Sequence, residues 1–163
     1  MTRRSLALLF VALIAPALLC SQDKPANSNE AQTPETIRQY NDQQMAELRK
    51  QIAGKEKQSS ATVYKNIQIL AGVPAENLLR IMDVGFSRSL GVSCQHCHVP
   101  GMWERDDKAP KHIARDMWRM THTINDDLLH KMEFLKDREA KVNCTTCHRG
   151  QVKPALDLAA TGK

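Results

Sequence analysis

Cys94-Gln95-His96-Cys97-His98 recurs in form as Cys144-Thr145-Thr146-Cys147-His148, and the two stretches take four of the five cysteines in the chain. Thiols three residues apart face one side of a helical turn. Both can then add as thioethers to the two vinyl groups of one porphyrin. The next residue is carried under the ring, where its imidazole can coordinate iron as the proximal ligand. Cys94, Cys97, Cys144 and Cys147 are therefore the expected anchors of two covalently bound haem c groups, with His98 and His148 as iron ligands. The alternative is one zinc ion held by four thiolates. That reading leaves both trailing histidines idle and requires the pairs to meet across a long intervening segment.

The N-terminus speaks to compartment. Arg3 and Arg4 precede an apolar run from Leu6 to Leu19, the layout of a secretory signal. The run is shorter than the ~20 apolar residues of a spanning helix. Bacteria attach haem covalently outside the cytoplasm, so a periplasmic protein is expected. Cys20 stands where the apolar run gives way to Ser21-Gln22-Asp23, and a lipidated Cys20 would tether the mature protein to the membrane. Leu19 departs from the small residue usual before such a site. The competing reading is cleavage after Ala15-Pro16-Ala17, which discards Cys20 with the signal. One acyl chain binds membranes only marginally, so anchoring would need a second.

Losing residues 1–20 removes two arginines and no acid, which takes the formal charge from +5 to +3. Two haems bring four propionates, so the basicity carries no argument for nucleic acid, and no nucleic-acid motif is present. An aromatic content of 4% suits a small domain whose large flat apolar groups are cofactors.

Three regions follow: a signal at 1–20, a flexible tether and spacer helix at 21–60, and a dihaem cytochrome domain at 61–163. The fold is expected to be mostly α, a small multihaem c-type cytochrome of two helix-turn-CxxCH units. Ser21 to Thr33 is polar and reads as a tether. Thr33-Pro34-Glu35 opens a helix, whose stripe Ile37, Asn41, Met45, Leu48 and Ile52 marks a spacer or packing element. Gly54 to Ser60 is a break. Val63 to Leu70 fits either a short strand or a helix. Pro74-Ala75-Glu76 starts a helix carrying Leu78, Leu79, Ile81, Met82 and Phe86, with Gly91 as its stop. Another begins near Pro110 and shows Ile113, Met117, Met120, Ile124 and Leu128 at helical spacing, followed by a charged connector, Lys131 to Lys141. Each unit could dock one haem against its helix, with a methionine of that helix opposite the motif histidine.

Ile81-Met82-Asp83, Gly91-Val92-Ser93-Cys94, Cys97-His98-Val99, Asp106-Asp107-Lys108, Ala114-Arg115-Asp116-Met117, Ile124-Asn125 and Cys144-Thr145-Thr146-Cys147-His148-Arg149-Gly150 carry a family resemblance. From about Val63 to Pro154 the chain resembles the cytochrome c subunit of bacterial photosynthetic reaction centres. In that family a helix precedes each attachment site and supplies methionine as the sixth ligand of most haems. The resemblance implies Met82 for the haem of His98 and Met117 for the haem of His148. The family's subunit holds four haems in two pairs, whereas this chain has motifs for one pair. Its connector between Met117 and Cys144 is longer, and Lys131 falls where the family offers a histidine to a haem of the other half. Fold and ligation are thus implied more directly than photosynthesis.

Histidine-methionine ligation leaves no open coordination position and raises the potential relative to two histidines. Electron transfer to redox partner proteins follows, the partner being a reaction centre or another membrane electron-transfer complex. No catalytic acid and base stand beside an open iron, so the chain is not read as an enzyme. The alternatives are a small haem peroxidase or reductase with one open site, and a gas or redox sensor. Methionines in helices are commonly packing residues: Met120 is the next ligand candidate, and Met45, Met102 and Met132 read as core or surface. His96, His112, His122 and His130 read as surface residues, with His130 one place from the family histidine. Glu104 to Lys108 and the 131–141 connector form a solvated surface able to dock a partner through charge, an association that salt would weaken.

Overall fold

A computed structural model describes residues 32–135 and 138–157 of the 163. The signal, Cys20 and nearly all of the tether lie outside the described residues. Within them the chain is mostly helical and holds no strand, only isolated bridges pairing Ser59 with Pro74 and Val99 with Met102. Among the described residues no helix is long and apolar enough to cross a membrane.

Helix α1 (Pro34–Gln51) starts as its sequence predicts. Thr33 caps it, its side chain accepting from the Thr36 amide at 3.2 Å. Pro34 occupies the first turn, Glu35 sits at the positive end of the helix dipole and Arg49 and Lys50 at the negative end. Of the two roles open to this helix, packing is the one it fills. Met45 and the following Ile52 are almost fully buried with Ala75 and Leu79, and Leu48, Val63, Tyr64 and Cys94 pack around them. The core thus reaches the first cysteine.

Between α1 and the next long helix, α2 (Ser60–Val63) is a single turn. The segment beyond it is neither the strand nor the helix that its composition allows. Asn66 and Leu70 take positive φ, 56° and 64°, which interrupts both. Buried Ser60 fixes the excursion, its hydroxyl donating to the carbonyls of Leu70 and Ala71 at 2.5 and 3.1 Å.

Pro74 then leads into α3 (Ala75–Arg80), which continues without a break as a π-helical segment, Ile81–Arg88. The third long element repeats this plan: α4 (Ala109–His122) passes into a second π-helical segment, Thr123–Leu128. Such wide turns are rare and concentrate at functional sites. The last helix, α5 (Cys144–His148), is the second CxxCH motif itself.

Helix α4 inverts the usual rule that an apolar stripe faces the core. Lys111 and Arg115 are buried, whereas Ile113, Met117, Met120 and, beyond the helix, Leu128 stand exposed. Its charges turn inward because Asp106 and two loop carbonyls lie there to receive them.

Candidate haem-binding site

The first motif is built from three separate elements. Asn41 of α1, a polar residue within an apolar stripe, reaches across to the attachment loop. Its amide nitrogen donates to Ser87 Oγ at 2.7 Å and to the Val92 carbonyl at 3.3 Å. Its oxygen accepts from the Cys94 amide at 3.0 Å and from Cys94 Sγ at 3.2 Å. Ser87 also donates to the Val92 carbonyl, at 2.6 Å, and accepts the Val92 amide at its own carbonyl. The chain therefore enters the motif in a fixed direction.

Cys94–His96 forms a single 3₁₀ turn, and the His98 amide donates to the Cys94 carbonyl at 3.0 Å. This local winding brings Cys94, Cys97 and His98 onto one cavity of about 460 Å³, within the range of small-molecule and cofactor sites. Met82 and Phe86, one turn apart on the π-helical segment, line the same cavity, as do Leu79, Trp103 and Ile67. Met82 is thus brought together with the first motif.

Electrostatics of the cavity suit neutral ligands. Burial pushes the Cys94 thiol up to about 11 and raises Cys97 as well. Burial also lowers His98, which keeps its imidazole in the neutral form that binds metals. None of the four motif cysteines is paired in a disulfide among the described residues. His98 Nδ1 lies 3.0 Å from the carbonyl of Trp103, whose ring stands edge-on to the imidazole at 5.7 Å. A carbonyl can only accept, so Nδ1 carries the proton and the lone pair sits on Nε2.

The second motif reproduces this arrangement with different residues. Asn143 caps α5 through a reciprocal pair of bonds with Thr146, at 3.1 and 3.0 Å. Asn125, on the π-helical segment after α4, clasps Val142, donating to its carbonyl at 2.9 Å and accepting its amide at 2.8 Å. Val142 precedes Cys144 by the same two residues that separate Val92 from Cys94. His148 Nδ1 lies 3.0 Å from the carbonyl of Gln151, again leaving Nε2 with the lone pair. Enclosure is where the two differ: Cys147 is exposed, and Met117 is 37% exposed on the outward stripe of α4.

The motifs meet. The Gly150 amide donates to the Ser89 carbonyl at 2.8 Å, and the hydroxyls of Ser89 and Thr145 lie 2.6 Å apart. A Cβ on Gly91 would fall 2.1 Å from the Gly150 carbonyl oxygen, and Gly91 itself has φ +66°. Glycine is required there twice over.

The other candidates are placed as follows. Met45 is core, while Met102, Met120 and Met132 are exposed. His112 bonds the Asp106 carbonyl and His122 pairs with Asp126 while stacking near Trp118. His96 is half-buried rather than solvated. Sequence reasoning missed Asn41, Ser87 and Asn125 as clasps, and the contact of Gly91 with Gly150. A polar residue inside the α1 stripe was the available signal for the first of these.

Residues 22–159 match the family described as photosynthetic reaction centre cytochrome C subunit. A photosynthetic reaction center cytochrome c subunit of Thermochromatium tepidum is 33% identical over 96 residues, which cover 58% of this chain and 22% of that protein. Cytochrome c-554 of Chloroflexus aurantiacus is 30% identical over 83 residues, 51% of this chain and 20% of the relative. The subunit of Roseobacter denitrificans is 32% identical over 98 residues, 57% and 26%. The chain therefore spans about a fifth to a quarter of the length of these relatives.

Proposed function

The chain belongs to the photosynthetic reaction centre cytochrome c subunit family, and from that membership we propose that it is a dihaem c-type cytochrome relaying electrons in the periplasm. Cys94 and Cys97 hold one haem by thioether bonds, and Cys144 and Cys147 hold the other. His98 and His148 would each coordinate one iron, with Met82 and Met117 as the respective second protein ligands. Haem c, when bound, supplies a one-electron iron couple.

The rest is done by the protein. The donation of Nδ1–H to a backbone carbonyl fixes the tautomer and orientation of each histidine and raises its basicity as a ligand. A thioether in the sixth position favours ferrous iron and closes the site to substrates, which suits transfer of electrons rather than catalysis. Leu79, Phe86 and Ile67 line the first cavity and would present apolar surface to the porphyrin. The outward stripe of Ile113, Met117 and Met120 is exposed apolar surface against which a second haem would pack.

One observation carries the reading: both CxxCH histidines, in different local structures, hold Nδ1 3.0 Å from a backbone carbonyl and so keep Nε2 for a metal. The partner is a reaction centre or another membrane electron-transfer complex, with a lipidated Cys20 as tether. The test is haem counting by pyridine haemochrome and intact mass, with redox titration and carbon monoxide exposure of the same sample. Two covalent haems at clearly positive potentials, inert to carbon monoxide, are expected. Low potentials would replace methionine by histidine as sixth ligand, and a rapid carbon monoxide adduct would turn the reading toward a small haem enzyme.

A further inference from the structure

We propose that Lys111 is a positioning residue for the iron ligand His98, acting through the carbonyl of Trp103 to hold the potential of that haem up. The inference rests on the dihaem reading and adds to it a determinant of potential.

Three oxygens surround Lys111 Nζ: the carbonyls of Trp103 at 2.9 Å and Arg105 at 2.7 Å, and Asp106 Oδ1 at 3.0 Å. They match the three protons of an ammonium. The lysine is 9% exposed, so this is a built interior site rather than a surface lysine. One of the three acceptors, the Trp103 carbonyl, is also the acceptor for His98 Nδ1. A carbonyl has two lone pairs and can serve both. The cation thus sits one oxygen away from the ligand.

Two effects follow, with the same sign. A carbonyl that already binds an ammonium is a weaker acceptor, so it draws less on the imidazole N–H and leaves the ring less anionic. Less electron density at Nε2 stabilises ferric iron less, which raises the potential. The second effect is direct repulsion between the cation and the extra positive charge of ferric iron. Asp106 offsets only part of it. That carboxylate is shared with Arg115, whose nitrogens lie 2.9 and 2.8 Å from its two oxygens, so two buried cations face one acid. Lys108, bonded to the Gln95 carbonyl, adds a further positive charge near the motif. Burial limits screening by salt. At the other site the Gln151 carbonyl has no cationic donor among the described residues.

The experiment compares wild type, Lys111→Met and Asp106→Asn as full-length, haem-loaded proteins by potentiometric titration. In Lys111→Met one midpoint should fall, so that the ferric-to-ferrous ratio of that haem at fixed ambient potential rises about tenfold, ~59 mV for a one-electron couple. The other midpoint should stay. The Nδ1 proton resonance of the same histidine should move downfield as its hydrogen bond strengthens. Asp106→Asn removes the offsetting acid and should move the same midpoint upward. If Lys111→Met does not take up haem, Lys111→Gln, which keeps a hydrogen-bond donor but removes the charge, decides by the same fall in one midpoint. Midpoints and proton resonance that stay at wild-type values in a loaded protein would reduce Lys111 to a structural cation and leave the dihaem reading standing. A wild-type protein without haem on Cys94 and Cys97 would overturn both.

Discussion

At the scale of single residues, the two proposed iron sites share one device and differ in enclosure. His98 and His148 each commit Nδ1 to a carbonyl 3.0 Å away, and His98 shares a cavity with Met82 of its own preceding helix, whereas Met117 stands exposed. Met82 is the residue whose removal should say most. Alanine in its place offers iron no sixth ligand, so Met82→Ala should give a carbon monoxide adduct at one haem per chain. The midpoint of that haem should fall enough to raise its ferric-to-ferrous ratio at least tenfold, ~59 mV. Titration with and without carbon monoxide checks both, and an unchanged spectrum and midpoint would remove Met82 as a ligand.

At the scale of elements, the two halves follow one plan that residue identities hide. A helix passes into a π-helical segment, and a side chain on that segment clasps the valine two residues before the first cysteine. Ser87 does this in one half and Asn125 in the other, so the interaction repeats while the sequence does not. The halves join where Gly91 abuts the Gly150 carbonyl. Both glycines have positive φ, +66° and +84°, but only Gly91 faces backbone within reach of a Cβ. Gly150→Ala should therefore lose only the conformational preference, about 1 kcal/mol. Gly91→Ala adds a collision that neither backbone can relieve by a rotamer change, and should lose upwards of ~3 kcal/mol. Denaturant unfolding of the two variants measures the gap, and equal midpoints would mean that the motifs are not held together at this contact.

At the scale of the molecule, α1 belongs with the haem-binding region. Met45 and Ile52 complete the core with Ala75 and Leu79, and these two α1-side residues each contribute roughly 1.5–3 kcal/mol by burial. Asn41 supplies two contacts to Cys94. A chain beginning at Ala53 should accordingly lose cooperative unfolding and load less haem at Cys94 and Cys97, while one beginning at Gln32 keeps both. Equal haem content and unfolding midpoints in the two would return α1 to the role of a spacer. What the sequence determined by itself was local. Cap chemistry at Thr33, the proline that opens α3, the stop at Gly91 and the two cysteine-histidine turns each depend on residues within about one helical turn of one another. The path from Val63 to Leu70 was beyond it, because its two residues in the left-handed region bond groups outside the segment, Leu70 through its carbonyl to Ser60 and Asn66 through its side chain to the carbonyl of Glu104. Only the tertiary structure decided that Asn41 meets Cys94, that Lys111 shares a carbonyl with His98, that the apolar stripe of α4 faces outward, and that Met82 lines a cavity with His98 while Met117 is exposed. These contacts join positions far apart in the chain, and their partners exist only once packing has fixed the direction in which each helix crosses the next.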